Sequence, residues 1–291
     1  MAAPIPAPAY QGLSRTIQIP ACVLSVDAFR RLFVELDALT REATSAQIDD
    51  LVMPAGVAPA DFAREKETAK AEAGLSLWVY GKNGEQVALH SAAAITPEAL
   101  PDGFTNITFD SGARFRMKLN YDPINRFRLN FDFTEPVLFV GYDPWSQPTP
   151  NLSHLEIIGA NQTWVAGVCD KVLNFLKARK RSRRWLHGPT TFSLFNWLIG
   201  FPASFWLVYR VDGVTQRLTA GLPGVIRSGF YVYLLLIALM VFRVVAYFLR
   251  WLFPLVELEG SRSNAVRATG SAIVIGLLSA LIYDVLKAAF K

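Results

Sequence analysis

The histidines and cysteines are the residues most able to ligate a metal or to act as an acid, base or nucleophile. His90, His154 and His187 share no spacing typical of a metal site. Cys22 and Cys169 each stand within an apolar pattern, which indicates buried free thiols. The sequence contains no phosphate-binding loop, dinucleotide fingerprint, nucleophile elbow or zinc motif. It therefore predicts a non-enzymatic protein without a catalytic, cofactor or metal site.

Six basic residues within eight positions form what we term the basic collar: Lys177, Arg179, Lys180, Arg181, Arg183 and Arg184. Residues 189–209 follow without a charged side chain, and a helix of that length reaches roughly 30 Å, the hydrocarbon thickness of a bilayer. Because Lys and Arg are enriched at cytoplasmic flanks, the collar predicts a topology anchor. Anionic lipid head groups are its expected partner, and nucleic acid is not expected to bind there.

Two arginines interrupt the second apolar run. Arg243 and Arg250 are seven residues apart and therefore share a helix face. An arginine at mid-membrane depth costs about 2.5–3.5 kcal/mol, so Arg243 is a candidate intramembrane functional residue that lines a polar pathway or pairs with a carboxylate. The alternative, which we favour, is that Arg243 snorkels to the cytoplasmic interface with Arg250 beyond it.

Small residues recur every four positions in the third apolar run, at Ala268, Ala272, Gly276 and Ala280. This stripe predicts close helix packing and self-association.

The three apolar runs predict three membrane spans, at about residues 190–209, 229–252 and 268–288, with a kink near Pro202 and a polar loop over 210–227. If the Pro202 segment is re-entrant, two full spans remain.

Two regions ahead of the collar are candidates for partner recognition. Asp143 and Trp145 belong to a proline-rich loop, where Trp145 either contacts a partner or covers the core. Arg114, Arg116 and Lys118 alternate with apolar residues, which predicts a strand with its basic side chains on the wet face of a sheet. An ordinary solvated face is the alternative for these three.

Charge divides the chain into parts of different character. Residues 1–176 carry 14 Lys and Arg against 20 Asp and Glu, and residues 185–291 carry 9 against 4. We expect a disordered Pro/Ala tail over 1–14, a cytosolic domain over 15–176, a basic linker over 177–188 and an all-α membrane domain over 189–291. The predicted location is a bacterial inner membrane, with residues 1–188 in the cytoplasm.

The patterns of the front part predict an α+β fold. A strand near 16–24 precedes a helix capped by Ser25 and a second helix over 61–73, and Asn83-Gly84 marks a hairpin. Strands over 106–110, 113–121 and 127–133 predict an antiparallel β-meander, and Asn161 caps a closing helix. This order resembles the helix-grip arrangement, in which a curved sheet wraps a terminal helix around a hydrophobic cavity. The resemblance covers residues 15–185, and a plain α+β sandwich is the alternative.

Three functional hypotheses follow from these patterns. The first is a membrane protein whose cytosolic domain binds a ligand or protein partner as a sensor or scaffold. The second is a stress or defence effector whose helices oligomerise and permeabilise the membrane. The third is a carrier for an apolar ligand in a helix-grip cavity.

Overall fold

The computed structural model describes residues 12–101, 103–135, 149–180 and 182–259, together with the single positions 269, 270, 272, 273, 276 and 279. The chain divides into two compact units, which we describe separately. The first, the α+β unit, comprises Met1–Thr134, Asn151–Arg181 and Val256–Glu259. The second, the helical unit, comprises Glu135–Pro150, Ser182–Leu255 and Gly260–Lys291.

The α+β unit is built on a six-stranded antiparallel sheet, with a small parallel pair beside it in the same unit. The strands are β1 Leu13–Gln18, β2 Cys22–Leu24, β3 Ser76–Gly81, β4 Gln86–Leu89, β5 Phe104–Asp110, β6 Arg126–Asp132, β7 His154–Gly159 and β8 Val256–Leu258. The main sheet has the order β1-β7-β6-β5-β3-β4, and β2 pairs with β8. The predicted antiparallel sheet is confirmed, but it is not a simple meander, because β5 pairs with β3 and leaves β4 at the edge.

Helices complete both units. The α+β unit contains α1 Val26–Asp49, α2 Pro59–Glu72, α3 Ala113–Leu119 and α4 Gln162–Lys177, and the helical unit contains α5 Pro189–Phe195, α6 Phe201–Leu218 and α7 Gly224–Leu252. The predicted caps are confirmed: Ser25 Oγ accepts from the Ala28 amide at 3.1 Å, and Asn161 Oδ1 accepts from the Trp164 amide at 2.7 Å. Each bond satisfies an amide that the first helical turn leaves without a partner.

The main core lies between one face of the sheet and helices α1 and α4. Alternating residues of β3, β5, β6 and β7 point into it, while α4 contributes Val165, Val168, Val172 and Leu176. Phe29 of α1 packs against Phe109 and Phe131, with ring centroids 6.4 and 5.9 Å apart. Because a strand turns successive side chains to opposite faces, this burial leaves the polar set of the same strands on the outer face.

The segment predicted as a strand over 113–121 is a helix, α3, so that prediction was wrong. Asn120, in the left-handed conformation at φ 60°, ends it. Phe115 is buried with Ile48 and Ala69 in a second small core between α1, α2 and α3, whereas Met117 is 77% exposed. In the observed register, Phe131 of β6 lies opposite Ile107 of β5 and not opposite a residue of 113–121.

The helical unit contains a long antiparallel hairpin over residues 189–252. A π turn, Asn196–Gly200, joins α5 to α6 directly before Pro202, whose ring cannot be accommodated by a regular α-helical turn. The sequence predicted a kink near Pro202, and the structure has the π turn at this place. The polar loop predicted over 210–227 is wrong for most of its length, since α6 continues to Leu218 and α7 begins at Gly224.

Along the hairpin, two hydrogen bonds and one close approach show how the two arms are paired. The Arg250 guanidinium donates to the Gly188 carbonyl at 3.3 Å near one end. A Cβ on Gly200 would lie 3.8 Å from Cβ of Phe242 in the middle. At the far end, the Tyr231 hydroxyl donates to Asp212 Oδ1 at 2.5 Å. Within the described residues, α7 is the one helix long and apolar enough to cross a membrane.

Candidate functional site

The outer face of the main sheet carries a groove of about 670 Å³, which we term the outer groove. Its lining consists of Trp78, Tyr80, Gln86, Asn106, Thr108, Asp110, Ala113, Arg116, Arg128, Asn130, His154 and Glu156. Its volume falls within the range of about 300–1,000 Å³ typical of small-molecule sites. The outer groove is therefore the candidate binding site of the α+β unit.

The strand register explains how distant residues meet in the outer groove. Trp78 of β3 lies opposite Thr108 of β5, and Thr108 lies opposite Asn130 of β6. Asn130 in turn lies opposite His154 of β7. Directly opposite side chains on one face stand about 4.5–5.5 Å apart at Cβ, so the four form a continuous row across the strands.

Hydrogen bonds fix the middle of this row. Thr108 Oγ1 lies 2.9 Å from both Asn106 Oδ1 and Asn130 Oδ1, and Asn130 Nδ2 donates to the Leu152 carbonyl at 3.0 Å. His154 Nδ1 lies 2.7 Å from the same carbonyl. Since a carbonyl oxygen can only accept, this contact places a hydrogen on Nδ1 and leaves Nε2 of a neutral imidazole as an acceptor.

One end of the outer groove is closed by a charge cluster around Asp110, which is 6% exposed. Its carboxylate accepts from the Gly112 amide at 2.8 Å, from Arg116 at 2.9 Å and from Arg128 at 3.1 Å. Arg116 also donates to Asp122 at 2.8 Å, and this bond, with Asp110 contributing less, raises the pKa of Arg116. The cluster links α3 to β5 and β6 and neutralises charge at this end of the outer groove.

Ser76 of β3 and His90, which directly follows β4, lie close together without forming a catalytic arrangement. Ser76 Oγ lies 3.2 Å from His90 Nδ1, but Ser76 is fully buried. Burial and the nearby Arg114 guanidinium lower the pKa of His90. A substrate cannot reach a fully buried hydroxyl, so the contact satisfies the buried polar group of Ser76. Across the described ranges, no three His, Cys, Asp or Glu residues lie close enough together to hold a metal ion.

The outer groove brings together only one of the basic residues predicted for partner recognition. Arg116 lines it, whereas Lys118 pairs with Glu72 at 3.1 Å on the helix surface. Arg114 lies near Gly74 instead, where its Nη1 is 3.0 Å from the position of a Cβ on that glycine. These three residues lie on a helix and not on the predicted strand. A helix points successive side chains in different directions around its axis, so the three do not share one face. Asp143 and Trp145 lie outside the described residues.

Sequence reasoning missed most of the outer groove. Trp78, Tyr80, His154 and Glu156 were not among the predicted site residues, although Trp78 and Tyr80 stand on the polar side of the alternating pattern of β3. Two aromatic side chains on a wet face are the signal that could have found the site, because large rings are usually turned inward. The partners contributed by β6 and β7 depend on the register and could not be read from that pattern.

The collar residues that are described make local contacts. Lys177 donates to Asn174 at 2.9 Å, and the Arg179 guanidinium lies 3.8 Å from the centre of the Phe175 ring and donates to the Phe175 carbonyl. Lys180 forms a backbone bridge with Cys22. Arg181 and the side chains of Arg183 and Arg184 lie outside the described residues.

The intramembrane candidates occupy different surroundings in the helical unit. Arg250 is 3% exposed, and its guanidinium donates to the carbonyls of Leu186 and Gly188, both at 3.3 Å. His187 supports the same end of the hairpin, with Nε2 at 2.6 Å from the Phe253 carbonyl. Arg243 is half-buried at the level of the π turn and donates to the Tyr247 hydroxyl at 3.4 Å. Arg250 therefore holds the two ends of the hairpin together.

The small-residue stripe is described only in part. A Cβ on Gly276 would meet no atom within 4 Å, and Ala272 is exposed. Ala268 and Ala280 lie outside the described residues.

Comparisons with protein-family models, curated proteins and solved structures find no match to this chain.

Proposed function

We propose that this protein is a membrane-anchored binding protein, in which the α+β unit binds a small ligand or protein partner on the cytoplasmic side and the helical unit anchors it. The observation that carries the binding half is the outer groove: a preformed cleft with two aromatic rings and convergent polar groups. The packing of the core favours this function over that of an apolar carrier with a helix-grip cavity. Phe29, Phe109 and Phe131 fill the core side of the sheet, where such a cavity would lie, and are at most 2% exposed.

The membrane half rests on the surface of the hairpin. Large apolar side chains stand exposed along both arms, among them Trp197, Leu198, Leu236 and Val241. A soluble protein rarely leaves so much contiguous apolar surface uncovered, whereas a bilayer covers it. The basic collar at the start of the hairpin favours the cytoplasm, and in a bacterium the inner membrane, for the α+β unit.

Aromatic residues at both ends of the hairpin support a full crossing. Tyr231 and Trp251 of α7 are 20 residues apart, which corresponds to about 30 Å along a helix and to the thickness of the hydrocarbon layer. Trp206 and Tyr209 of α6 lie toward the same end of the hairpin as Tyr231. Asp212, three residues after Tyr209, accepts a hydrogen bond from the Tyr231 hydroxyl. Such rings are enriched at membrane interfaces. The proposed arrangement has two crossings by the hairpin and a third over about residues 268–288.

Substitution in the outer groove tests the binding half. The full chain, purified from its own cells in mild detergent, is compared with Trp78→Ala and His154→Ala by quantitative mass spectrometry of the bound species. The control is Arg64→Ala, which changes an exposed side chain of α2 that pairs with Asp61. We expect a bound species that both groove variants lose and the control retains. Identical bound species in all four proteins would contradict the proposal.

A permeabilising effector is the second candidate, and the polar middle of the hairpin favours it. The π turn and the half-buried Arg243 lie in the middle part of the hairpin, and an ionisable side chain at membrane depth is costly and often serves a pathway. This candidate predicts that overexpression depolarises cells and that Gly276→Leu abolishes the effect. A Cβ at position 276 would meet no atom of the described residues within 4 Å, so this candidate assigns the expected effect of the substitution to contacts between copies. Unchanged membrane potential with both proteins would argue against it.

A further inference from the structure

The charges of the outer groove indicate the class of ligand it accepts. Arg116 and Arg128 stand against Asp110 and Glu156, so the charges of these four lining residues sum to zero. Both arginines are already bonded to Asp110, and residues 1–176 carry an excess of acidic side chains, 20 against 14 basic. A nucleic acid or another phosphate-rich ligand needs unpaired positive charge. The electrostatics of this site therefore favour an uncharged ligand.

Polar groups with spare hydrogen-bonding capacity surround the aromatic rings. Among the described residues, the side chains of Gln86 and Glu156 have no hydrogen-bond partner, and Asn106 Nδ2 has none either. Together with Nε2 of His154 they offer two donors and several acceptors. A ligand that satisfies them must carry donors and acceptors close together, which is the property of neighbouring hydroxyl groups on a sugar ring.

Trp78 and Tyr80 supply the second requirement of a sugar ring, a flat apolar surface. They are two residues apart on β3 and therefore share its outer face, where Trp78 is half-buried and Tyr80 is 38% exposed. With Ala113 they form most of the apolar lining. An apolar peptide would need further pockets for its side chains, which the amide-rich remainder of the lining does not provide.

We propose that the outer groove binds a neutral saccharide that stacks on Trp78 and is held through its hydroxyl groups by Gln86, Asn106, His154 and Glu156. This inference rests on the proposed binding function and specifies its ligand. The sugar is either free or the head group of a glycolipid, since both present the same ring and hydroxyl groups.

The test uses the full chain in phosphatidylcholine nanodiscs, applied to an array of neutral oligosaccharides. We expect binding to at least one glycan, weakened about tenfold or more by Trp78→Ala and about fivefold by Glu156→Gln, which removes a charged acceptor while keeping its shape. Arg64→Ala should bind within about twofold of the wild type, because an exposed pair contributes little. Thermal midpoints of all variants establish that they are folded. Competition by glucosyl-diacylglycerol in the nanodiscs, compared with the same amount of soluble methyl glucoside, separates the sources, because a site for glycolipid head groups loses array binding at far lower amounts of the lipid than of the soluble sugar.

The possible outcomes separate this inference from the proposed function. Saccharide binding that fails in the folded groove variants supports both. If no glycan binds, or if the groove variants bind glycans as well as the wild type, the saccharide inference is overturned. The proposed function nevertheless stands when another bound species, such as a protein or a nucleotide, depends on Trp78 and His154. Absence of any groove-dependent species removes both.

Discussion

Asp110 is the residue whose charge does most to shape the outer groove. Its nearly buried carboxylate holds α3 to β5 and β6 by accepting from one backbone amide and two arginines. Asp110→Asn removes the charge and leaves the two arginines facing an amide. We expect a loss of about 1–3 kcal/mol, which lowers the thermal midpoint by several degrees. Asp61→Asn, at an exposed pair with Arg64, should change the midpoint by less than a degree or so. Equal midpoints for both variants would show that the cluster contributes nothing to stability.

The two cysteines give a second prediction at the residue scale. Both thiols are free and buried as the sequence predicted, and burial raises the pKa of Cys22 to about 12 and shifts that of Cys169 upward. Since only the thiolate reacts, and a raised pKa keeps the thiol protonated, we expect no labelling by a maleimide at about pH 7.5 in the native protein. Two thiols should react after unfolding. Rapid reaction of either in the folded chain would contradict the described core.

At the scale of elements, the cap of α4 is open to a direct test. Asn161 accepts from the Trp164 amide, so Asn161→Ala should destabilise the α+β unit by about 0.5–2 kcal/mol. The control lies in the same helix: Asn174 is exposed, and alanine there favours the helix. A thermal scan of the two variants should show a lowered midpoint for the first only. A lowered midpoint for Asn174→Ala alone would contradict the assigned cap.

Local chemistry explains which elements the sequence could predict. Ser25 and Asn161 mark helix starts, and Gly84, with φ 87°, makes the predicted turn between β3 and β4. The stretch of α3 was misread because Arg, Phe and Met in alternation fit a strand as well as a short helix. Burial of Phe115 in a core formed by α1 and α2 decided between them. That core is a tertiary effect, and a local pattern does not contain it.

Charged residues also led to a wrong prediction at the end of the hairpin where α6 is followed by α7. Arg210, Asp212 and Arg217 predicted a loop, but α6 carries them on a solvated helical end. There Asp212 bonds Tyr231, and Thr219 bonds back to the Thr215 carbonyl. The predicted span ends at residue 209, whereas α6 continues to Leu218. Hydropathy locates apolar stretches but does not resolve where a helix ends beyond them.

At the scale of the whole molecule, the chain leaves the α+β unit after Arg181 and re-enters it at Val256. Strand β8 pairs with β2, and the Glu259 amide donates to the Leu24 carbonyl at 2.8 Å. From charge, the sequence predicted a single boundary at the collar, with residues 189–291 all-α. The return strand β8 was not predicted, because it depends on long-range pairing. Because both ends of the hairpin join the same unit, a hairpin that crosses the bilayer must cross it twice.

The most direct test of the account is the side of the membrane on which each unit is exposed. Val214, 60% exposed on α6, and Val52, 84% exposed in the α+β unit, are replaced one at a time by cysteine. Both native cysteines are replaced by alanine, and intact cells are treated with a membrane-impermeant maleimide. The account predicts that Val214→Cys is labelled in intact cells and Val52→Cys only after permeabilisation. Labelling of Val52→Cys from outside, or labelling of Val214→Cys only after permeabilisation, would contradict it.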